Sequence, residues 1–245
     1  MLLSIIAAFI VSQFATFCTT LYLHRCLTHK SFTLHPSVSL LMRFILWLTT
    51  GLNRKTWAGV HRKHHAYTDI IGDPHSPKLV GFLRVQFGNV VYYRRAASDR
   101  ITIEKYTQDI KEDSWDKIFN LGGGGIGPMI GTMLLCLLLG VTYGLLAAIV
   151  HLILYVFILS SSINGLGHSY GYKNFPNTAT NIWSLALFTA GESNHNNHHA
   201  DLSSPKFSVR WWEVDLGWRI IKILSYLKLC TTKKTFLVET SNFLR

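Results

Sequence analysis

Eight of the twelve histidines in this sequence fall in three tight groups: His24 with His29, His61 with His64 and His65, and His195 with His198 and His199. On a helix, residues three and four apart share a face, so each triplet points its imidazoles at a common centre and forms half a site. His24 and His29 are five apart, roughly 140° around an ideal helix, so that pair requires a helix end or a local bend. Neutral imidazole binds Zn, Cu, Fe and Ni, and the number of ligands and their company narrow the choice. A structural zinc takes four ligands and usually includes cysteine. Eight or nine imidazoles exceed that need and suit two metals of higher coordination. An isolated histidine is more often a solvated or pH-sensing group, an explanation that fails for three groups at these spacings.

A ninth candidate, His168, closes the run Asn164-Gly-Leu-Gly-His168. An imidazole in an apolar, charge-free stretch needs a polar partner or a metal, and a functional role is its default reading. Asn164, one helical turn away, is placed to hold a metal-bound water or to orient a ligand. His151 lies among aliphatic residues and reads instead as a core or interhelix hydrogen-bonding residue. Glu192 and His195 make one Glu-x-x-His, a motif that carboxylate-bridged two-metal bundles carry on two helices together with further carboxylates. The other groups hold no counterpart, so Glu192 reads as an acceptor for a ligand's N–H.

Helices must position these groups, and the charge distribution says which of them lie in a membrane. Lys and Arg number 24 against 13 Asp and Glu, a formal +11, which alone points to nucleic acid or to an anionic membrane surface. Residues 1–24 and 118–172 carry no charged side chain, so every basic residue lies in 25–117 or 173–245. At about 1.5 Å per residue the second stretch would make roughly 80 Å of helix, enough for two crossings of a roughly 30 Å hydrocarbon core. It predicts a helical hairpin with spans at about 126–144 and 146–162, Gly140 and Gly144 lying near the turn. Residues 3–23 make a further span, and the lack of basic residues ahead of it disfavours a cleaved signal peptide. Val38–Leu52 is apolar but short and holds Arg43, so it is expected to lie at the interface or to re-enter.

With both basic blocks on the cytoplasmic side, three crossings place the N-terminus outside and residues 24–125 and 163–245 inside. The expected fold is all-α: one integral membrane domain, residues 1–245, with a cytoplasmic helical cap that carries the histidine-rich site. Asp215–Leu229 has Leu216, Ile220, Ile223, Leu224 and Leu227 at helical spacing and reads as an interfacial helix or a cover for that cap. The four cysteines show no close spacing, so neither a disulfide framework nor a CxxC metal site is expected. The lipid bilayer, and not nucleic acid, is the expected partner of the positive charge.

In order and interval, His24-Arg-Cys-Leu-Thr-His29, His61-Arg-Lys-His64-His65, Asn164 to His168 and Gly191-Glu-Ser-Asn-His195-Asn-Asn-His198-His199 resemble the histidine boxes of membrane fatty acyl desaturases of the stearoyl-type, delta-9 branch. The likeness covers about residues 20–220 and includes Gly72-Asp-Pro-His75 and Arg210-Trp-Trp-Glu-Val-Asp215. It implies two iron ions held by His24, His29, His61, His64, His65, His168, His195, His198 and His199, with Asn164 acting through a water. It also implies an oxidoreductase that uses O2 as co-substrate, takes two hydrogens in sequence from a long-chain acyl group, and leaves a cis double bond at the delta-9 position. In that pattern His75 is not a ligand, and a structural or supporting role is expected for it. The start, about twenty residues ahead of the first box, resembles a short, bacterial-like form or one whose start is mis-called. Gly59 and Val60 stand where animal acyl-CoA enzymes carry a charged pair that contacts coenzyme A. Gly51 stands where they place a polar side chain near the bend of the substrate tunnel. The acyl carrier and the regiochemistry are therefore open.

Acid and base side chains cannot strip hydrogens from unactivated methylenes, which requires an oxidising cofactor. The sequence shows no haem module or CxxC iron site, so electrons are expected from a separate ferredoxin-, rubredoxin- or cytochrome-like protein. A membrane hydroxylase of lipid chains has similar boxes and is the first alternative. A metal transporter or sensor is the second, but it would string its ligands along a path within the spans.

Overall fold

The computed structural model describes residues 1–232, and expectations for 233–245 lie outside the described residues. Two of its helical stretches, Leu2–Thr28 and Val141–His168, are long and apolar enough to cross a membrane. The first begins as α1 (Leu2–Cys18) and passes without a break into a π-helix over Thr19–Thr28. Its Leu2, Ile6, Phe9 and Ile10 side chains are exposed, as on a helix that faces lipid. After β1 (Phe32–Leu34), α2 (Pro36–Thr50) starts on a proline and ends at Gly51, whose φ is 64°. Only glycine fits there, because a Cβ would sit 2.2 Å from the Gly124 carbonyl oxygen. α3 (Arg54–Ala66) is capped by Asn53, whose side chain accepts from the Lys55 and Thr56 N–H groups. The short helix α4 (Pro77–Val80) and the longer α5 (Phe82–Ala97) come next, before α6 (Arg100–Tyr106) and α7 (Ser114–Phe119), the last with a capping box between Asp113 and Asp116.

The hairpin consists of α8 (Ile126–Leu139) and α9 (Val141–Leu152). α9 runs on as a π-helix, Ile153–Ser160, then as α10 (Ser161–Asn164) and a 3-10 turn over Leu166–His168. The chain reverses at Gly140 (φ 81°), so the first arm is shorter than its expected range and the second begins earlier. Gly144 serves packing instead: a Cβ there would lie 2.4 Å from the Cys136 backbone. Missing a Cβ suits a glycine equally to reversal and to close approach, and only the packed hairpin separates the two uses.

α2 seats its backbone on α8, where Gly127 and Gly131, one turn apart, admit the Trp47 and Leu48 carbonyls. A Cβ on either glycine would come within 2.4 Å of those oxygens. Arg43 leaves this apolar contact for α7, donating to Asp113 at 2.7 and 2.8 Å and to Asp116 at 3.0 Å. Arg54 donates to the same Asp116 at 2.6 and 2.8 Å, which accounts for a charge in the middle of α2.

Beyond His168 the chain makes a 3-10 turn over Trp183–Leu185 and isolated bridges from Asn181 to Tyr172 and Asn194 before α11 (His195–Ala200), and α12 (Leu216–Tyr226) follows. β2 (Cys230–Thr232) then pairs antiparallel with β1, Phe32 opposite Thr232. Ile221 of α12 packs with Leu21, Phe32 and Cys230, so the tail helix covers the π-helical end of the first span. Its other face exposes Ile223, Tyr226 and Leu227.

Candidate metal centre

The first box is solved by the π-helix. Its wider turn makes a step of five residues a near-complete revolution: the His29 N–H donates to the His24 carbonyl at 3.0 Å, and the two ring centroids stand 4.8 Å apart. α3 carries His61, His64 and His65 in its final turns, with the Trp57 indole stacked on His61 at 4.9 Å. α11 starts on His195, and the asparagines between its histidines turn into a buried amide network. Asn196 Oδ1 accepts from the Asn174 and Phe175 N–H groups, and Asn197 Nδ2 donates to Glu213 and to the Phe207 carbonyl. Gly167 lets the His168 segment close on α11, since a Cβ there would sit 3.2 Å from His195 Cδ2.

All nine predicted histidines come together, in two groups. Ring nitrogens of His24, His29, His61, His65 and His198 lie within 4.8 Å of one another, and so do those of His64, His168, His195 and His199. The second box is thereby divided, His61 and His65 going to the group of five and His64 to the group of four. Within the groups Nε2 atoms approach closely: His24 to His198 at 3.0 Å, His29 to His61 at 3.1 Å, His168 to His195 at 2.9 Å.

Carboxylates claim the opposite nitrogens. His24 Nδ1 lies 2.7 Å from Glu192, His64 Nδ1 3.0 Å from Asp73, and His168 Nδ1 3.0 Å from Asp69. Rings protonated at Nδ1 turn Nε2 lone pairs inward, and the buried Nε2 of His64 has no protein partner. Lone pairs converging on a centre, with carboxylates at their backs, fit a metal cation in each group. Burial, and then repulsion among neighbouring imidazoles, holds His61, His65, His195, His198 and His199 well below the ordinary histidine range. They are therefore neutral, the form that ligates. Burial pushes Asp73 upward, but the hydrogen bond that it accepts from His64 and the nearness of the His64 and His75 rings outweigh this and hold the carboxyl below its ordinary range.

Glu192 stands where its sequence position suggests, 2.7 Å from His24 Nδ1, and it also accepts from the Thr20 hydroxyl. Sequence reasoning passes over Asp69 and Asp73, although two acidic residues so soon after the second box were a usable signal. It passes over Arg25 as well. That side chain is fully buried, donates to Asp215 at 2.9 Å and to Thr20 at 3.1 Å, and lies 3.7 Å over the Phe207 ring. His75 stacks on His64 at 4.8 Å, and burial lowers it to about 3. Its nitrogens group with His64 and Asp73 and not with either imidazole set, consistent with a supporting role. His151 belongs to neither group. Its Nε2–H donates to the Thr49 carbonyl at 2.9 Å, and its Nδ1 lies 2.9 Å from the Ser12 hydroxyl, which also reaches the Ala8 carbonyl at 2.7 Å.

A cavity adjoins the group of five at His24 and His61. Its polar lining includes His24, His61, His75, Asn89, Asn164 and Glu192, and its apolar lining includes Leu52, Trp57, Val60, Val90, Val156, Leu159 and Ile163. Asn164 Nδ2 donates to Asn89 Oδ1 at 3.1 Å.

The family model described as fatty acid desaturase matches residues 2–227. An sn-1 stearoyl-lipid 9-desaturase of Synechocystis sp. is 33% identical over 212 residues, 86% of this chain and 65% of that protein, so the chain spans slightly less than two thirds of its length. The sn-1 stearoyl-lipid 9-desaturase of Anabaena variabilis is 31% identical over 221 residues, 88% of this chain and 78% of that protein. An acyl-CoA C20 Delta5-desaturase of Anemone leveillei is 33% identical over 225 residues, 89% of this chain and 69% of that protein. Apolar helices of membrane-spanning length, histidine groups fit for metal and a match over nearly the whole described chain lead to one assignment: the chain belongs to the fatty acid desaturase family.

Proposed function

We propose that this chain is an O2-dependent fatty acyl desaturase that introduces a cis double bond, at the delta-9 position, into a long-chain acyl group. The observation that carries this reading is the pair of converging imidazole groups beside a cavity with largely apolar walls. Iron is the metal proposed in both, held by His24, His29, His61, His65 and His198 in one group and by His64, His168, His195 and His199 in the other. Asn164 completes the second through a water. Two bound irons with O2 would supply the oxidising power: two hydrogens leave adjacent methylenes, two electrons and two protons are added, and two waters form.

The chain's own residues do the positioning. Asp69, Asp73 and Glu192 hold three imidazoles in the tautomer that faces inward. Leu52, Trp57, Val60, Val156 and Leu159 are the walls proposed to bury the acyl chain beside His24 and His61, exclude water and keep one carbon pair in reach. Gly59 abuts Ile103, where a Cβ would meet a methyl at 2.9 Å, and Val60 lines the cavity, so neither offers a charge to coenzyme A. With the stearoyl-lipid substrates in the names of the cyanobacterial relatives, this supports a lipid-linked acyl chain. The basic blocks support a cytoplasmic metal site, and a positive surface suits a separate ferredoxin-, rubredoxin- or cytochrome-like donor with an acidic face.

Expression in a host lacking the activity, followed by lipid analysis, tests the reading. New cis alkenes at carbon 9 are the expected result. Hydroxylated chains without alkenes would replace desaturation by hydroxylation, and a single zinc per chain would remove the mechanism.

A further inference from the structure

Two amides of α5, Gln86 and Asn89, carry an inference that rests on the two-metal reading just given. They are three residues apart, share one helical face, are both buried, and both reach the segment that leads into His168. Gln86 Nε2 donates to the Phe157 carbonyl, within the π-helical stretch, at 3.0 Å. Asn89 Oδ1 accepts from Asn164 Nδ2 at 3.1 Å, and both asparagines line the cavity that His24, His61 and His75 also line.

We propose that Asn89 is a positioning residue for Asn164, holding its Oδ1 toward the metal-bound water. A water on a cation gives its lone pair to the metal and points its hydrogens outward, so its protein partner must accept. Asn164 meets that demand only with its oxygen inward, which turns its NH2 away from the metal. Asn164 is half-buried, and Asn89 Oδ1 is the acceptor that its NH2 meets, at 3.1 Å. Without it, the favoured rotation of Asn164 would leave that donor with no protein partner, and the side chain would turn.

The test uses the full chain in detergent, loaded with 57Fe, and the variants Asn164→Leu, Asn89→Leu and Asn89→Asp, the last retaining an acceptor. Mössbauer spectra and iron content are read beside kcat and KM. Asn164→Leu is expected to alter one of the two iron signals, and Asn89→Leu the same one, with kcat reduced about tenfold and KM for the acyl substrate little changed. Asn89→Asp should restore the signal and most of kcat. The inference is overturned if Asn164→Leu alters a signal that Asn89→Leu leaves intact, or if Asn89→Asp is as damaged as Asn89→Leu. An unaltered spectrum in Asn164→Leu would sink the water-holding role of Asn164 itself, and the inference with it, so the two failures are distinguishable. Asn89→Ala takes the place of the leucine variant if that protein does not fold.

Discussion

The group of five and the group of four use one ligand type and are supported differently. In the group of five, among the described residues, only His24 has a carboxylate at its back; His61 is held by the stacked Trp57, and His198 packs on Phe207 at 4.6 Å. In the group of four, His64 and His168 are each fixed by an aspartate of the same loop, and that loop turns at Asp69, whose φ is 61°. The larger group takes its ligands from three boxes packed against the first span. The smaller draws on His64 of the second box, His168 and two histidines of α11. Ring packing thus has the larger share in one group and charged contacts in the other, so the two should respond to different mutations.

Removing one ligand from each group is the most severe way to challenge that contrast. His168→Ala and His198→Ala are each expected to lower desaturation by more than the 10- to 100-fold loss typical of a supporting residue, with iron falling toward one per chain by metal analysis. Loss of both irons in either variant would show that the groups are not independently held.

Asp69→Asn and Asp73→Asn come next. Each should cost about 10- to 100-fold in iron affinity or turnover, and iron spectroscopy should place the damage in the group of four alone. A disturbed group of five would break the comparison.

The Arg43, Arg54, Asp113 and Asp116 cluster lies in neither group and should touch stability only. Burial pushes Asp116 up, but hydrogen bonds from Arg54 and the Asp113 backbone, with the charges of Arg54 and Arg43, outweigh it and leave the carboxyl below its usual range. A depressed folded-state value means that stabilisation is complete above the unfolded carboxylate range and is lost as pH falls through the folded value. Melting curves should therefore show a constant gap between the protein and Asp116→Asn from about pH 5 to 8, narrowing below about pH 4. A gap that widens with acidification would reverse the sign of this account.

His151→Ala is expected to have the smallest effect on chemistry. It removes two interhelix hydrogen bonds, worth roughly 1 kcal/mol each, and should leave turnover within a few-fold of the parent. Equal losses in His151→Ala and His168→Ala would erase the distinction between a packing histidine and a ligand.

By itself the sequence determined which histidines share a face, because helical periodicity turns spacings of three and four into a common side, and the nine named from it converge in the fold. It determined as well the long apolar stretches and the family, which rest on local composition and motif. Tertiary structure decided how the second box splits, since His61, His64 and His65 lie within two helical turns and only the partners packed on each side assign them. It decided that the step from His24 to His29 is a π-turn, that the hairpin reverses at Gly140, and that Gly144 packs on Cys136. It also supplied the carboxylates behind the imidazoles. Glu192 reaches His24 from the far side of the chain, and Asp69 reaches His168 across the apolar hairpin. Periodicity acts over a few residues and can be read from a string, whereas pairings of this range exist only once helices have packed and buried groups have found their partners.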